Sequence, residues 1–487
     1  MKRFFIKVFI VVNKDWVMST FQELGLSEKN VFLLREKGFV TPTEIQAKTI
    51  PAVLVNDRDI IAQAQTGTGK TAAFALPLIE LIERNQQGIK ALILAPTREL
   101  VIQICAAIQF LKGEDDLEIV PIYGGQSIVP QLKRLKKGVD IVVGTPGRIL
   151  DHVRRKTLKL DALEFFILDE ADEMLDMGFI EDIEEILTAV TPERRVLLFS
   201  ATMPERIKKL AEKFMGDYHH ISTMTKGATH PVEQMYIEIA QKDKFDLLHR
   251  MIDLAEGFYG LVFCRTRSDV DEVAERLVSL GFRADALHGD IAQAQREKIL
   301  RQFRNQQTSI LVATDVAARG IDVNNLTHVI NFSIPQSPEA YIHRIGRTGR
   351  AGNAGMAITF VTRAEYRSFN IIQKKMKAAI RKEHIPSIEE VLRAKQNRIV
   401  REIEKQRKSG HQYSEMAVRL LENNSLENVL ASTLQYFLGS LCDLKVYQEI
   451  SNEKSYSNCE AKFKGRKERQ QFFKRNKRQF SRAKKSR

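Results

Sequence analysis

Residues 64–71, with the sequence Ala64-Gln65-Thr66-Gly67-Thr68-Gly69-Lys70-Thr71, decide the fold. Two spaced glycines before a lysine and a threonine predict a loop that opens a helix. Backbone N–H groups in such a loop bind phosphate, because the helix N-terminus carries partial positive charge. Lys70 can then reach the β- and γ-phosphates, and Thr71 can face a magnesium ion. The stretch therefore predicts a site for a nucleoside triphosphate.

Two carboxylates follow at a fixed distance from that loop. Asp169-Glu170-Ala171-Asp172 comes 99 residues after Lys70 (169 minus 70) and ends an apolar run. A triphosphate site needs an acid on the metal ion and a base that orients the attacking water, and Asp169 and Glu170 suit these two roles. Ser200-Ala201-Thr202 begins 31 residues after Asp169, again after an apolar run. Together these stretches predict ATP hydrolysis.

Short apolar runs recur along the chain, and each ends in polar residues. They occupy residues 91–95, 140–143, 165–168, 196–199, 261–264, 310–313, 329–332 and 357–360. Runs of this length, alternating with helical patterns, predict buried parallel strands. Open α/β sheets bind ligands beyond the carboxyl ends of their strands, which is where these polar residues fall. We predict two α/β lobes, 19–225 and 232–364, joined by a polar segment that contains Gly227 and Pro231.

The phosphate loop departs from the general pattern G-x-x-x-x-G-K-[ST], because Ala64 stands at its first position. With the literal Asp-Glu-Ala-Asp and the Ser-Ala-Thr, the sequence resembles the DEAD-box RNA helicases, whose loop usually begins with alanine. The resemblance covers residues 19–364. It implies two tandem RecA-like parallel-sheet lobes, ATP and Mg²⁺ as cofactors, and RNA as partner. The implied function is RNA-stimulated ATP hydrolysis that unwinds short duplexes locally or remodels RNA–protein complexes.

The resemblance also implies how the nucleotide is selected. A glutamine amide can donate to N7 and accept from N6 of adenine, and an aromatic ring can stack on the base. In this family the residues that match Gln46 and Phe21 do so. The implied nucleotide-binding residues are Phe21, Thr41, Gln46, Thr66, Gly67, Thr68, Gly69, Lys70 and Thr71, with Gly320 and Asp322 in the second lobe. Thr71 and Asp169 are the implied magnesium ligands.

Hydrolysis requires positive charge where negative charge develops on the transferring phosphoryl group. His343, Arg347 and Arg350 fall at i, i+4 and i+7, so they share one face if the segment is helical. The resemblance assigns the two arginines to the γ-phosphate as arginine fingers and His343 to coupling of the lobes. The implied catalytic set is Lys70, Asp169, Glu170, Arg347, Arg350 and His343. Because the set is divided between the lobes, the implied site is complete only when they close.

RNA contacts are implied on the opposite rim, where small residues, hydroxyls and arginines suit a sugar-phosphate backbone and contact no base edges. The matching positions are Pro96, Thr97, Arg98, Gly124, Gly125, Thr145, Gly147 and Arg148 in the first lobe, and Arg265, Gly289, Asp290, Gln293, Arg296 and Thr314 in the second. Binding is expected to be largely sequence-independent. One departure is Phe332-Ser333, where the family often has tyrosine and aspartate.

Charge is distributed unevenly along the 487 residues. The formal net charge is +14, and residues 461–487 contribute +12 of it through 13 Lys/Arg and one acid. Phenylalanines at 463, 472, 473 and 480 lie among these cations, which favours RNA binding by residues 442–487 through phosphate neutralisation and stacking. A solvated, disordered tail is the alternative. The four cysteines show no paired spacing, which favours a reducing, cytoplasmic location with neither disulfides nor zinc.

Residues 365–441 have helical periodicity. An apolar stripe at 426, 429, 430, 434, 437 and 438 ends before Gly439. It either packs within the chain or forms a homodimer surface, as the resemblance to cold-shock helicases of bacteria implies. Residues 1–18 are interpreted as an extension or a misassigned start. A strand-like arm and an export signal are the alternatives, although their apolar run is too short to span a membrane.

Two other functions stay open at this point. The first is an RNA clamp or scaffold in which ATP controls residence time. The second is a DNA-directed helicase of related architecture, which Phe21, Gln46 and the literal Asp-Glu-Ala-Asp disfavour. Ribosome assembly and RNA-degradation assemblies both fit a helicase with a basic tail.

Overall fold

The computed structural model describes residues 20–65, 67–82, 88–223, 232–321, 323, 326–349, 354–376, 380–406, 413–422, 424–438 and 447–450. The chain divides into two compact units, Met1–Ala228 and Thr229–Arg487. Several predicted features lie outside the described residues: the extension 1–18, Thr66, Gly227, Pro231, Asp322, Arg350, Cys442, Cys459 and the basic residues 461–487. Within the described part, no helix combines the length and apolar composition needed to cross a bilayer.

The first unit is built on a seven-stranded sheet in which every pair is parallel, with strand order β3-β4-β2-β5-β6-β1-β7. Its strands are β1 (Asp59–Gln63), β2 (Ala91–Leu94), β3 (Ile119–Ile122), β4 (Ile141–Gly144), β5 (Phe165–Leu168), β6 (Arg195–Ser200) and β7 (Tyr218–Ser222). Its helices are α1 (Glu28–Glu36), α2 (Glu44–Val55), α3 (Lys70–Leu81), α4 (Arg98–Lys112), α5 (Val129–Leu135), α6 (Pro146–Arg154), α7 (Ala171–Asp176), α8 (Ile180–Thr188) and α9 (Glu205–Phe214).

Strand residues with apolar side chains on both faces explain why this sheet lies in the interior. All four residues of β2, β4 and β5 are buried. Two apolar clusters cover the two faces, one containing Phe74 and Phe199 and the other containing Phe166 and Leu198. A sheet that is buried on both faces can present ligand groups only at its edges and strand ends, so the predicted motifs fall where a ligand can reach them.

The second unit repeats this architecture with the all-parallel strand order β10-β11-β9-β12-β13-β8-β14. Its strands are β8 (Val232–Glu238), β9 (Gly260–Phe263), β10 (Ala284–Leu287), β11 (Ile310–Ala313), β12 (His328–Asn331), β13 (Gly355–Val361) and β14 (Arg381–Glu383). Its helices are α10 (Lys244–Leu254), α11 (Arg267–Ser279), α12 (Gln293–Arg304), α13 (Asp315–Ala318), α14 (Pro338–Ile345), α15 (Tyr366–Lys375), α16 (Ile388–Gln406), α17 (Ser414–Leu421) and α18 (Leu426–Leu438).

The two orders become identical when β8 to β14 are renumbered 1 to 7, so both units have the predicted RecA-like fold. The sheet of the second unit extends past residue 364, where the sequence predicted a helical segment. β14 pairs with β8, and Phe369 and Ile372 of α15 are buried in the core of the unit. β14 is a three-residue edge strand of charged side chains, which carries no apolar pattern that sequence could detect.

The chain after α16 returns to the second unit. Tyr447 is buried, stacks on the His249 ring at 4.8 Å, and donates its hydroxyl to Asp253 Oδ2 at 2.6 Å. Lys395 Nζ of α16 contacts the same carboxylate oxygen at 2.8 Å. Arg250 donates to the carbonyl of Gln448 at 2.5 Å. Residues 447–450 therefore pack on α10, although the sequence predicted that the tail begins at residue 442.

Candidate active site and nucleic-acid interface

The phosphate loop connects β1 to α3 at the carboxyl edge of the first sheet. Gly67 and Gly69 have φ angles of 79° and 87°, in the left-handed region that favours glycine. Thr68 Oγ1 donates to the carbonyl of Gln65 at 2.8 Å. Lys70, 6% exposed, begins α3 and donates from Nζ to the carbonyl of Ala64 at 3.2 Å. The lysine ammonium thus lies over its own loop, where a phosphate can replace the carbonyl as its partner.

Gln46 is fixed against this loop. Its Nε2 donates to the carbonyl of Gly69 at 3.2 Å, and its Oε1 accepts from the backbone N–H of Thr43 at 3.0 Å. A Cβ at Gly69 would lie 2.3 Å from Gln46 Nε2, so the contact requires glycine there. Phe21 is 3% exposed and Thr41 is exposed.

The two carboxylates predicted to act on ATP lie at the end of β5. Asp169 is 3% exposed, and its Oδ1 accepts the backbone N–H of Glu170 at 3.0 Å. Burial raises the pKa of Asp169 well above its usual range, and the nearby positive charge of Lys70 opposes that rise. Glu170 has φ 54° and ψ 51°, a conformation that non-glycine residues adopt rarely and mostly at functional sites.

Ser200-Ala201-Thr202 contacts the acidic motif directly. The backbone N–H and the hydroxyl of Thr202 both donate to Asp172 Oδ2, at 2.8 and 2.7 Å. Ser200 Oγ donates to the carbonyl of Thr202 at 2.6 Å, and the carbonyl of Ser200 accepts the N–H of Ala64 at 3.1 Å. The phosphate loop and the two motifs therefore share one edge of the sheet, at the ends of the neighbouring strands β5, β6 and β1.

The predicted RNA positions of the first unit follow β3, β4 and β2, which are neighbouring strands in the other half of the sheet. Thr97 caps α4 by accepting the N–H of Leu100 at 3.3 Å, and Thr145 precedes α6. The Arg98 guanidinium lies over the Tyr123 ring at 4.5 Å. Arg148 donates to Gln131 Oε1 at 3.3 Å and to the carbonyl of Gln126 at 3.2 Å. The remaining predicted positions here are Pro96, Gly124, Gly125 and Gly147, and the last two are exposed.

The predicted RNA positions of the second unit follow the equivalent strands β10, β11 and β9. Arg265 follows β9, and its guanidinium lies 3.4 Å from Glu365 Oε1. Gly289 and Asp290 follow β10, and Asp290 pairs with Arg267. Thr314 precedes α13 after β11, while Gln293 and Arg296 lie in the first turns of α12. Arg296 donates to the carbonyl of Ala317 at 2.7 Å.

The segment from His343 to Arg347 is not one continuous helix, so the condition for a shared helical face is not met. α14 ends at Ile345 with Gly346 as its C-cap, and Gly349 has a φ of 67°, so the helix stops before Arg347. Arg347 is 5% exposed and donates to the carbonyls of Ile321 at 3.0 Å and His343 at 3.3 Å. The two residues stay in contact through the turn instead of through helical spacing. Gly320, with a φ of 69°, precedes Ile321.

Two buried cations were missed in the sequence. Arg344 donates from Nη2 to Asp315 Oδ2 at 2.7 Å, and from Nη1 to Asn331 Oδ1 at 3.0 Å and the carbonyl of Ser333 at 2.6 Å. At the Phe332-Ser333 departure, the contact with Arg344 is made by the backbone carbonyl of Ser333. Any residue at this position would supply that carbonyl. Lys244 is 1% exposed and pairs with Glu365 Oε2 at 3.0 Å. Lys244 follows the polar segment Gln241–Asp243, and a lysine in such a context gives no sign of burial.

Known proteins match both units. The DEAD/DEAH box helicase family model matches residues 43–210, and the model for the helicase conserved C-terminal domain matches residues 243–352. A probable ATP-dependent RNA helicase of Methanocaldococcus jannaschii is 53% identical over 362 residues, 74% of this chain and 97% of the relative. The DEAD-box ATP-dependent RNA helicase CshA of Geobacillus kaustophilus is 46% identical over 423 residues, covering 86% and 90%.

Solved structures give a similar result. Dbp5 of Saccharomyces cerevisiae, bound to RNA and ADP BeF3, is 30% identical with a TM-score of 0.69, and the match covers 77% of this chain and 99% of that one.

Proposed function

The chain belongs to the DEAD-box family of ATP-dependent RNA helicases, and we propose that it hydrolyses ATP when RNA stimulates it, to unwind short RNA duplexes locally or to remodel RNA–protein complexes. The observation that supports this most is the convergence of three motifs at one sheet edge. The Asp172–Thr202 hydrogen bonds join the acidic motif to Ser-Ala-Thr, and the Ala64–Ser200 bond joins that segment to the phosphate loop.

We propose that the nucleotide binds at this edge. The backbone N–H groups from Gly67 to Thr71 donate to the phosphates, and Lys70 exchanges the carbonyl of Ala64 for the β- and γ-phosphates. Adenine is recognised by Gln46, Phe21 and Thr41, and Thr66 completes the phosphate loop. In the second unit, Gly320 and Asp322 contact phosphate and ribose. Arg347 and Arg350 act on the γ-phosphate, where they stabilise the charge that develops, and His343 couples the two lobes.

The residues present fit a magnesium ion. A buried carboxylate whose pKa is raised by burial gains stability from a nearby cation, which describes Asp169. Thr71 adds a hydroxyl oxygen, and Mg²⁺ prefers few protein oxygens together with phosphate and water. We propose Thr71 and Asp169 as the residues that hold Mg²⁺, which would neutralise phosphate charge when bound. Glu170 orients the attacking water and takes its proton.

The RNA interface is proposed from strand positions. In each unit the predicted residues follow the same three of seven strands. Their proposed contacts are with the sugar-phosphate backbone and not with base edges. We propose that Pro96, Thr97, Arg98, Gly124, Gly125, Thr145, Gly147 and Arg148 bind the RNA backbone in the first unit. Arg265, Gly289, Asp290, Gln293, Arg296 and Thr314 do so in the second.

The first experiment measures ATP hydrolysis with and without single-stranded RNA. We expect strong stimulation by RNA in the wild type and its loss in Glu170→Gln, because the amide cannot take the proton of the attacking water. Glu212→Gln, the same change on the exposed face of α9, is the control and keeps wild-type turnover. Equal turnover with and without RNA would contradict the proposal. Strand separation is then measured with a short labelled duplex.

We further propose a homodimer through α17 and α18. The two helices pack on each other, yet they leave apolar side chains exposed at Met416, Val418, Leu420, Leu421, Leu426, Leu430 and Tyr436. A charge in this surface, such as Leu430→Glu, should shift the chain from dimer to monomer in sedimentation velocity. Val55→Glu, at an exposed valine on α2, should not. A monomeric wild type at micromolar concentration would exclude the dimer.

We propose that residues 442–487 contain an RNA-tethering segment, and that the protein is cytoplasmic and joins ribosome or RNA-degradation assemblies. The charge of residues 461–487 supports this, because cation–phosphate contacts release counterions. A chain that ends at Ile450 should bind single-stranded RNA more weakly, with a smaller dependence on salt. Unchanged affinity and salt slope would rule out the tether. Co-sedimentation with ribosomes and cell fractionation test the assembly and the location.

A further inference from the structure

A buried glutamine lies beneath the RNA rim of the first unit. Gln131, on α5, is 3% exposed and belongs to none of the motifs identified in the sequence. Its Nε2 donates to the carbonyl of Tyr123 at 2.9 Å. Its Oε1 accepts from Arg148 Nη1 at 3.3 Å and lies 3.1 Å from His152 Nε2. Two of these three partners, the Tyr123 carbonyl and the Arg148 guanidinium, can act in only one way, as acceptor and donor respectively.

The carbonyl and the guanidinium fix the orientation of the amide. A guanidinium only donates, so the side-chain oxygen must face Arg148, and a carbonyl only accepts, so the NH₂ group must face Tyr123. His152 Nε2 must then carry a proton to bond Oε1. Thr157 Oγ1 lies 2.9 Å from Nδ1 and 3.1 Å from the carbonyl of His152, and its single proton serves Nδ1 when the ring is neutral with Nε2 protonated. Burial, followed by the charge of Arg148, lowers the pKa of His152 and keeps it in this neutral form.

Two separate parts of the RNA rim, the glycine turn and Arg148, meet at this amide. Tyr123 immediately precedes Gly124 and Gly125, and its ring lies under the Arg98 guanidinium. Arg148 is held at a second point by the carbonyl of Gln126. One buried side chain thus fixes the backbone that leads into the glycine turn and orients Arg148.

We propose that Gln131, supported by His152, is a positioning residue that holds Arg148 and the Gly124–Gly125 turn in the geometry that binds the RNA backbone. The inference rests on the proposed RNA interface and deepens it. Bidentate contact with phosphate requires a guanidinium of fixed orientation, and an arginine that must be ordered on binding loses affinity. Gln131 removes that ordering cost before RNA arrives.

The test is the RNA concentration that gives half-maximal stimulation of ATP hydrolysis by the full chain. Gln131→Met keeps the length of the side chain and removes every hydrogen bond of the amide. We expect half-saturation to rise about tenfold, the size of one charge-assisted hydrogen bond, while turnover at saturating RNA changes less than about twofold. Gln307→Met, the same change at an exposed glutamine of the second unit, should keep the wild-type value.

A double-mutant cycle separates positioning from simple loss of structure. Arg148→Ala should also raise half-saturation, and adding Gln131→Met to it should have little further effect, because the group that Gln131 orients is gone. An equal factor in both backgrounds, or no effect of Gln131→Met in the wild type, would overturn the inference while leaving the RNA interface in place. No effect of Arg148→Ala would overturn the role of this rim in RNA binding itself, and the inference with it.

A second variant avoids any change at the buried site. Arg148→Lys keeps the charge but cannot reach both Gln131 Oε1 and the Gln126 carbonyl with a rigid fork. We expect a rise in half-saturation similar to that of Gln131→Met. A wild-type value would show that the fixed orientation contributes nothing, even if Gln131→Met fails to fold.

Discussion

The same position in the two sheets carries a lysine, and the two lysines have opposite environments. Lys70 begins the helix after the first strand of one sheet, and Lys244 begins the helix after the first strand of the other. Among the described residues Lys70 hydrogen-bonds a neutral partner, the carbonyl of Ala64, although its charge also acts on the nearby Asp169. Lys244 is neutralised by Glu365, and burial lowers its pKa while Glu365 opposes that shift. One ammonium is placed for an anion, and the other already has one.

Two further segments also differ between the units: the ends of the equivalent strands β5 and β12, and the residues just before each lysine. At the end of β5 the acidic motif begins with Asp169, whereas the equivalent strand β12 ends at Asn331, which binds Arg344. The loop before Lys70 contains Gly67 and Gly69 at positive φ, and the segment before Lys244 is a short 3₁₀ helix, Gln241–Asp243. An identical topology therefore supports a phosphate site only where the loop geometry leaves backbone N–H groups and a cation available to the ligand.

Exchanging the two lysines for methionine should give the largest contrast. Lys70→Met removes the cation from the phosphates, and we expect the RNA-stimulated turnover of ATP to fall at least about 10³-fold. Lys244→Met should leave turnover within about threefold of wild type once the protein is folded. The measurement is steady-state phosphate release at saturating ATP and RNA. Comparable losses in both variants would remove the distinction between the lysines.

Stability should show the reverse effect. Lys244→Met leaves Glu365 as a mostly buried charge without its main counter-ion, which should cost the second unit about 3 kcal/mol in free energy of unfolding. Adding Glu365→Gln should recover most of that loss, because no buried charge is left over. Hydrogen exchange of the α10 amides reports the local free energy. A double variant no more stable than Lys244→Met would show that packing, and not charge, is responsible.

The glycine of the loop should have a smaller effect. In Gly69→Ala the new Cβ lies 2.3 Å from Gln46 Nε2 at a φ of 87°, so both the loop and the adenine-side glutamine must shift. We expect the KM for ATP to rise about tenfold or more. Gly38→Ala is the matched control, since its φ is 81° but nothing lies within 4 Å of its Cβ. It should reduce stability by about 1 kcal/mol and leave the KM for ATP unchanged.

The smallest effect concerns pH and the second unit alone. Burial lowers the pKa of His328 to about 4. Between about pH 6.5 and 4 this histidine is therefore mostly protonated in the unfolded chain and mostly neutral in the folded chain. Stability contributed by this group therefore falls as the pH falls, by about 1 kcal/mol between pH 6 and 5. His328→Asn should remove that part of the slope in urea unfolding, and His219→Asn, at an exposed histidine, should not. Equal slopes in all three proteins would contradict the assignment.

Sequence predicted what is encoded in short contiguous stretches. The strands ending at Leu168, Ser200 and Ala313 and the loop before Lys70 were recognisable because apolar runs stop at polar residues with a defined chemistry. Gln131 and Lys244 were not recognisable, because their surroundings come from residues far away along the chain. A glutamine at the surface and one at the centre of a buried network are identical in sequence, and only tertiary contacts separate them.

The end of α14 shows a second limit. Spacing puts His343 and Arg347 on one face only if the segment is helical, and the helix ends at Ile345 with Gly346 as its C-cap. Their contact survives through Arg347 Nε and the carbonyl of His343. Likewise β14 exists because β8 offers an unpaired edge, and its own residues, Arg381–Glu383, favour no strand.

Lys395 and Tyr447 bind one oxygen of Asp253, so two residues that are 52 positions apart in the chain (447 minus 395) are held at a single atom. In engineering terms the stretch between Lys395 and Tyr447 is a cassette, a segment that can be exchanged as a unit. A stretch whose two ends are fixed together can be shortened, lengthened or exchanged without moving what precedes or follows it, since closure entropy changes only slowly with loop length. Related chains can therefore carry different helices between these two points without a change elsewhere in the second unit. Residues 447–450 would keep their contacts with α10.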